Sequence, residues 1–195
     1  RAAKGTRPLP LPFRLPNHQF GRIDVADAER AEELKELFWK ELKSSPFVMI
    51  GLQGVEDSRT RPWTAQVNWQ DDTRDGGDIY FFGAKSEAIV KGLSESNRVV
   101  CTYVSKGHDL FAHIHGTLET IEDRAMVDKL WNPFIASWYK EGKNDPDLQL
   151  LRFDTSKAEI WKSETGATLV AAALKMLGRD PGKDHQQENQ AEVAL

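Results

Sequence analysis

The chain has 195 residues, 39% hydrophobic and 29% charged, with a formal net charge of -4. That size supports one cored domain with an appended tail, and the acidic balance speaks against a general nucleic-acid binder, which carries a basic face. No apolar run reaches the roughly 18 residues of a membrane span, and residues 1–22 hold no apolar signal-peptide core, so a cytoplasmic protein is expected, without membrane or nucleic-acid partners. The one cysteine, Cys101, has no internal disulfide partner and lies in an apolar run, where a buried reduced thiol is expected.

Residues 1–22 hold Pro8, Pro10, Pro12 and Pro16 among basic residues, a density that prevents helix and central strand and predicts a flexible arm. Residues 23–163 form the expected domain. Asp24 or Asp27 can cap a helix running to about Lys43, with Ala28, Ala31, Leu34, Leu37, Phe38 and Leu42 at helical spacing. Pro46 ends it, and Phe47–Leu52 reads as a strand. Next comes Arg61-Pro62-Trp63-Thr64-Ala65-Gln66-Val67-Asn68-Trp69, alternating with period two: Trp63, Ala65, Val67 and Trp69 share one face of a half-buried strand. A polar connection ending in Gly76-Gly77 leads to a second aromatic strand, Ile79–Gly83.

Ser86 is the expected cap of a short helix holding Ala88, Ile89 and Leu93. Arg98–Ser105 and Leu110–Ile121 read as strands joined by a turn at Lys106–Asp109. In the second, Leu110, Ala112, Ile114 and Leu118 face one way, and Gly116 marks a bulge or a close approach. Asp123 should cap a helix through Trp131, broken at Pro133, with a further helical piece over Phe134–Tyr139. Leu148–Phe153 and Lys157–Trp161 read as two closing strands around Asp154-Thr155-Ser156. In residues 164–195, Thr165–Leu177 is a helix candidate, followed by a tail expected to be disordered. About seven strands joined mostly by short turns predict a mainly β, α+β fold: an antiparallel barrel with peripheral helices.

No phosphate-binding glycine loop, paired Cys-x-x-Cys or Gly-x-Ser-x-Gly occurs. His113 and His115 share a strand face, but no third ligand can be located, so no metal site is expected. Aromatic surface beside Arg61 suits a flat ligand carrying a phosphate, for which an arginine offers a forked donor. Lys85, Ser86 and Lys91 stand at or beyond the end of the opposite strand. The pattern alone favours a simpler reading, an aromatic core with surface lysines.

Four stretches in order alter that balance: Arg61-Pro62-Trp63-Thr64; Ile79-Tyr80-Phe81-Phe82-Gly83 with Lys85-Ser86; Leu130-Trp131-Asn132-Pro133 with Trp138-Tyr139-Lys140-Glu141-Gly142; and Asp145-Pro146-Asp147-Leu148 leading to Ala158-Glu159-Ile160-Trp161. Their order resembles the pyridoxamine 5'-phosphate oxidase-like split barrels, most of all the general stress protein 26 type. The resemblance implies an antiparallel split β-barrel and a homodimer with flavin mononucleotide (FMN) at the subunit interface, the dinucleotide FAD being an alternative. By position, Arg61 and Ser86 should meet the phosphate. Pro62, Trp63 and Thr64 should line the flavin ring, and Phe82 and Gly83 should border the ribityl chain. Trp131 and Trp138 should wall the pocket. The family commonly has Thr at Gly83 and Lys at Ala88, so a weaker phosphate grip is expected, with Lys85 or Lys91 as replacements.

The expected function is that of a flavin-binding stress protein. In one form it passes electrons between reduced nicotinamide and a small acceptor. In the other it is a non-catalytic dimer, a sensor holding flavin or another flat ligand such as haem. The substrate-phosphate contacts of a true pyridoxamine phosphate oxidase are not found, and that activity is not expected. No catalytic side chain can be named.

Overall fold

The computed structural model describes residues 25–68, 77–163 and 190–195. Helix α1, Val25–Ser44, buries Leu34, Phe38, Trp39 and Leu42, one stripe at helical spacing. Its Phe38 ring meets Tyr103 of the sheet edge-on, with centroids 5.6 Å apart. The strands are β1, Phe47–Leu52, β2, Arg61–Thr64, β3, Gln66–Val67, and β4, Ile79–Ala84. After helix α2, Ala88–Gly92, come β5, Arg98–Val104, and β6, Leu110–Ile121. Helices α3, Arg124–Leu130, and α4, Pro133–Ala136, lead through a 3-10 turn at Gly142–Asn144 to β7, Leu148–Lys162. The last strand is β8, Gln190–Val193.

The sheet order is β2-β1-β5-β6-β7-β4-β3, and β8 pairs with β7; every pairing is antiparallel. Its two ends, β2 and β3, are successive segments of one chain, interrupted only at Ala65, so the sheet curls into a split barrel. Ala65 itself leaves both ladders and donates its N–H to the Pro46 carbonyl at 2.7 Å. The inner faces of the strands and the apolar stripe of α1 make one core around Ile50, Phe81, Cys101, Ile114, Leu118, Leu151 and Phe153. Cys101 is buried there, and burial pushes its thiol up to about 12, so it stays protonated. A second, smaller core packs α3 residues Val127 and Leu130 against Tyr80 and Leu150, on the outer face of β4 and β7.

Several elements match the sequence reading closely, among them β6 with its bounds and faces, and Asp123 as the α3 cap, accepting from the Met126 N–H at 2.9 Å. Others differ. The two expected closing strands are one 15-residue strand, β7. Asp154-Thr155-Ser156 is a bulge, not a turn: the register moves from His115 opposite Lys157 to Gly116 opposite Thr155, leaving Ser156 as the extra residue. The Ser156 hydroxyl donates to the His115 carbonyl at 3.1 Å and fixes that step. Residues 190–193 of the expected tail form β8, with Val193 buried and Lys157 paired with Glu192 at 2.5 Å. The helix candidate Thr165–Leu177, the arm 1–22 and Trp69 lie outside the described residues.

Gly116 serves the bulge by close approach. A Cβ there would lie 2.2 Å from the Asp154 carbonyl oxygen and 2.6 Å from the Phe153 ring. Backbone cannot yield as a side-chain tip can, so Gly116→Ala should cost about 2–3 kcal/mol. Urea unfolding should show a lower midpoint at an unchanged slope.

Candidate functional site

The β2–β3 segment carries the site because its alternation sends successive residues to opposite faces. Trp63 points inward with the buried Ala65 and Val67, and meets Phe81 edge-on at 5.6 Å. Pro62 and Thr64, opposite Met49 and Phe47 of β1, stand on the other face. Asn132 places α4: its side chain accepts from the Phe134 and Ile135 N–H groups and donates to Gln66 of β3 at 3.0 Å. That bond holds the aromatic α4 segment over the β2–β3 strand.

The result is a cleft of about 170 Å³ lined by Pro62, Trp63, Thr64, Phe82, Glu87, Phe134, Ile135, Trp138 and Tyr139. Trp131 stands behind it, meeting Phe82 edge-on at 5.7 Å and Tyr139 at 6.0 Å. Trp138 is 72% exposed on the outer lip and packs on Phe134 at 6.3 Å. A second cavity, of about 390 Å³, shares Thr64 and Phe134 as walls and is also lined by Lys43, Gln66, Lys129 and Asn132. The cleft alone falls below the roughly 300–1,000 Å³ typical of enclosing ligand sites.

The structure thus brings Pro62, Trp63, Thr64, Phe82 and Trp138 into one cleft. Phe134, Ile135, Tyr139 and Glu87 join them without having been named as site residues from the sequence; the Trp138-Tyr139 pair was the available signal. The basic and hydroxyl residues stand differently. Arg61 donates to Asp57 at 2.6 Å, and Arg59 donates to the same carboxylate at 2.8 and 3.0 Å. These bonds, Arg59's first, hold the Asp57 carboxyl well below the usual carboxylate range. Lys85 donates its ammonium to the Pro146 carbonyl at 2.8 Å.

Ser86 does not cap α2. Glu87 holds that position without a side-chain bond, and Ser86 reaches across 61 residues instead. Its N–H and hydroxyl donate to the two oxygens of Asp147 at 3.0 and 2.7 Å. Desolvation raises the Glu87 carboxyl, although solvent still reaches it; Asp147 adds to the rise and Arg61 opposes it. Desolvation, aided by Glu87, Asp145 and Asp147, likewise raises the Tyr139 phenol, which keeps its proton at neutral pH. Lys91 stands with Ala88, Asp57 and Arg59 around a separate cavity of about 640 Å³. It lies less than one helical turn from Ala88, so a lysine is present on the wall where that position lacks one.

Gly83 lies under Trp63. A Cβ on it would come within 2.6 Å of the indole Cη2 and 3.2 Å of a Leu151 methyl. The indole occupies the volume that a larger residue at 83 would need, so Gly83 and Trp63 are complementary. Gly83→Thr should cost about 1–3 kcal/mol in the native background and clearly less beside Trp63→Leu. Urea unfolding of the two single variants and the double variant measures that coupling.

The sequence profile of the family described as "Pyridoxamine 5'-phosphate oxidase like" matches residues 33–180. A general stress FMN/FAD binding protein of Xanthomonas citri is 51% identical, with a TM-score of 0.62, over 69% of this chain and 92% of that one. A protein assigned to the general stress family in Xanthomonas campestris pv. campestris is 48% identical, with a TM-score of 0.62, over 69% and 90%. One assigned as general stress protein 26 in Jannaschia sp. CCS1 is 29% identical, with a TM-score of 0.65, over 84% and 99%. No curated protein matches the chain. A profile that covers most of the sequence and structures that share the curled antiparallel sheet place this chain in the pyridoxamine 5'-phosphate oxidase-like family of split barrels.

Proposed function

We propose that the chain is a flavin-binding stress protein that takes FMN or FAD in the aromatic cleft, working as a cytoplasmic homodimer. The observation that carries this reading is the cleft itself. A cleft walled largely by aromatic rings has Pro62, Trp63 and Thr64 on one side, Phe82 on another and Trp138 at its lip, which suits a planar ring. When bound, the flavin would supply the redox chemistry, taking electrons from a reduced nicotinamide and passing them to a small acceptor. The protein's part is to bind and orient the ring and to exclude water from it. The adjoining cavity, with Lys43 and Lys129 in its lining, gives room beside Thr64 for an anionic second reactant.

Among the described residues lining the cleft, only Glu87 and Tyr139 titrate, and Tyr139 is held protonated. The absence of an evident acid–base pair there keeps the second reading in view, a non-catalytic sensor that holds flavin, or another flat ligand such as haem, without turnover.

Dimerisation is supported by surface continuous with the cleft. Phe47 is 59% exposed, and Met49, Val104 and Phe111 are also exposed, all on the outer faces of β1, β5 and β6, with Val104 opposite Phe111. Phe47 meets Phe134 at 6.4 Å, so an apolar strip runs from this face to the mouth of the cleft. A second copy laid on it would cover the strip and complete the small cleft. Among the described residues no helix is long and apolar enough to cross a membrane, which is compatible with the cytoplasmic location.

Protein mixed with excess FMN and desalted should retain flavin absorbance. Trp138→Ala should weaken binding roughly three- to tenfold at unchanged melting temperature, since that ring is exposed and its loss removes stacking only. A protein that keeps no flavin removes the proposal. Oxidation of reduced nicotinamide faster than by free flavin favours the catalytic form, and a rate equal to free flavin favours the sensor. Phe111→Arg should shift the particle mass measured by light scattering from two chains to one.

A further inference from the structure

Away from the cleft, the outer face of β6 carries a pair of metal-ligating side chains. Residues two apart on a strand share a face, and the His113 and His115 rings meet there with centroids 4.6 Å apart. Both are half-buried. The strand beneath them is held in register up to the bulge, where the Ser156 hydroxyl bonds the His115 carbonyl at 3.1 Å. Thr102 and Val100 of β5 flank the pair on one side. On the other side, Glu159 of β7 lies directly opposite His113, and Lys157 lies opposite His115. The Lys157 ammonium is paired with Glu192 at 2.5 Å, and Glu192 is itself opposite Glu159 in β8. Two carboxylates against one ammonium leave an excess of negative charge beside the imidazoles, which favours a cation.

We propose that His113 and His115 chelate a divalent ion of the zinc or copper class, with the Glu159 carboxylate as third ligand and water completing the coordination. Two nitrogens bound at about 2.0–2.1 Å to one tetrahedral ion stand roughly 3.3 Å apart, a separation that rings this close reach by turning about their own axes. As the side chains stand, no three ligating groups are gathered among the described residues, so the third has to swing in. Glu159 is within reach, because directly opposed residues have Cβ atoms roughly 4.5–5.5 Å apart. An imidazole pair selects borderline ions over Mg2+ and Ca2+, which take mostly oxygen ligands. None of these residues lines the cleft, so the site stands or falls apart from the flavin reading. Phe111, two residues before His113 on the same face, belongs to the apolar strip, so an ion held here adjoins the surface offered to a second copy.

The test is calorimetric titration of the chelator-treated protein with ZnCl2, CuCl2 and MgCl2. Zn2+ should bind saturably, Cu2+ more tightly, and Mg2+ at least about a hundredfold more weakly than Zn2+. His113→Ala and His115→Ala should each weaken Zn2+ binding at least about tenfold, and Glu159→Gln about three- to tenfold. His108→Ala, in the neighbouring turn, should leave it unchanged. Two readouts need no variant to fold. Excess Zn2+ should raise the melting temperature of the native chain, and the electron paramagnetic resonance spectrum of the Cu2+ form should show coupling to two imidazole nitrogens. Zn2+ binding undiminished in either histidine variant or in Glu159→Gln overturns the site, as does Mg2+ binding as tight as Zn2+. So does a native chain that binds no Zn2+, or a Cu2+ spectrum without nitrogen coupling.

Discussion

One stretch of seven residues belongs to both ends of the sheet. Arg61–Thr64 pairs with β1, Gln66–Val67 pairs with β4, and Ala65 between them leaves both ladders to bond Pro46. The sheet can satisfy both pairings only by curling, so this short segment fixes the barrel. It also fixes what faces where. With Ala65 and Val67 buried, alternation sends Trp63 inward and leaves Pro62 and Thr64 outside. A slip of one residue would bury Pro62 and Thr64 and expose the indole. The cleft therefore follows from the way the sheet closes, and α4 only roofs it through the Asn132–Gln66 bond.

The two ends of the site obey different physics. The aromatic end is built by packing: Trp63 lies over Gly83 and Phe81, and Phe82 is backed by Trp131. These contacts hold the walls of the cleft in place by packing among the protein's own side chains. The other end is built by charge. Asp57 and Asp147 tie down Arg61 and Ser86, and the exposed Asp57 pairs are worth little to stability.

What could be read from the sequence was local periodicity and the order of motifs. Strand β6 was legible because its alternation is uninterrupted up to Gly116, and the Asp123 cap because its partner is three residues away. The bulge in β7 was not, since Asp154-Thr155-Ser156 has turn composition and its meaning depends on Gly116 of another strand. Ser86 was misplaced as a cap for the same reason: its partner, Asp147, is 61 residues distant. The glycine at 83 looked like a missing phosphate contact. It becomes intelligible once Trp63, twenty residues earlier, is seen to fill the space above it. Phe134 and Tyr139 joined the site only when the Asn132–Gln66 bond placed α4.

The central claim is that the slot between the β2–β3 segment, Phe82 and α4 receives a flavin ring against a second copy of the chain. A crystal structure of the protein grown with FMN tests it most directly. The account predicts density for the tricyclic ring against Pro62, Trp63 and Thr64, with the outer faces of β1, β5 and β6 buried in a two-fold contact. Flavin density elsewhere on the chain, or a cleft left open to solvent in a monomer, would contradict it.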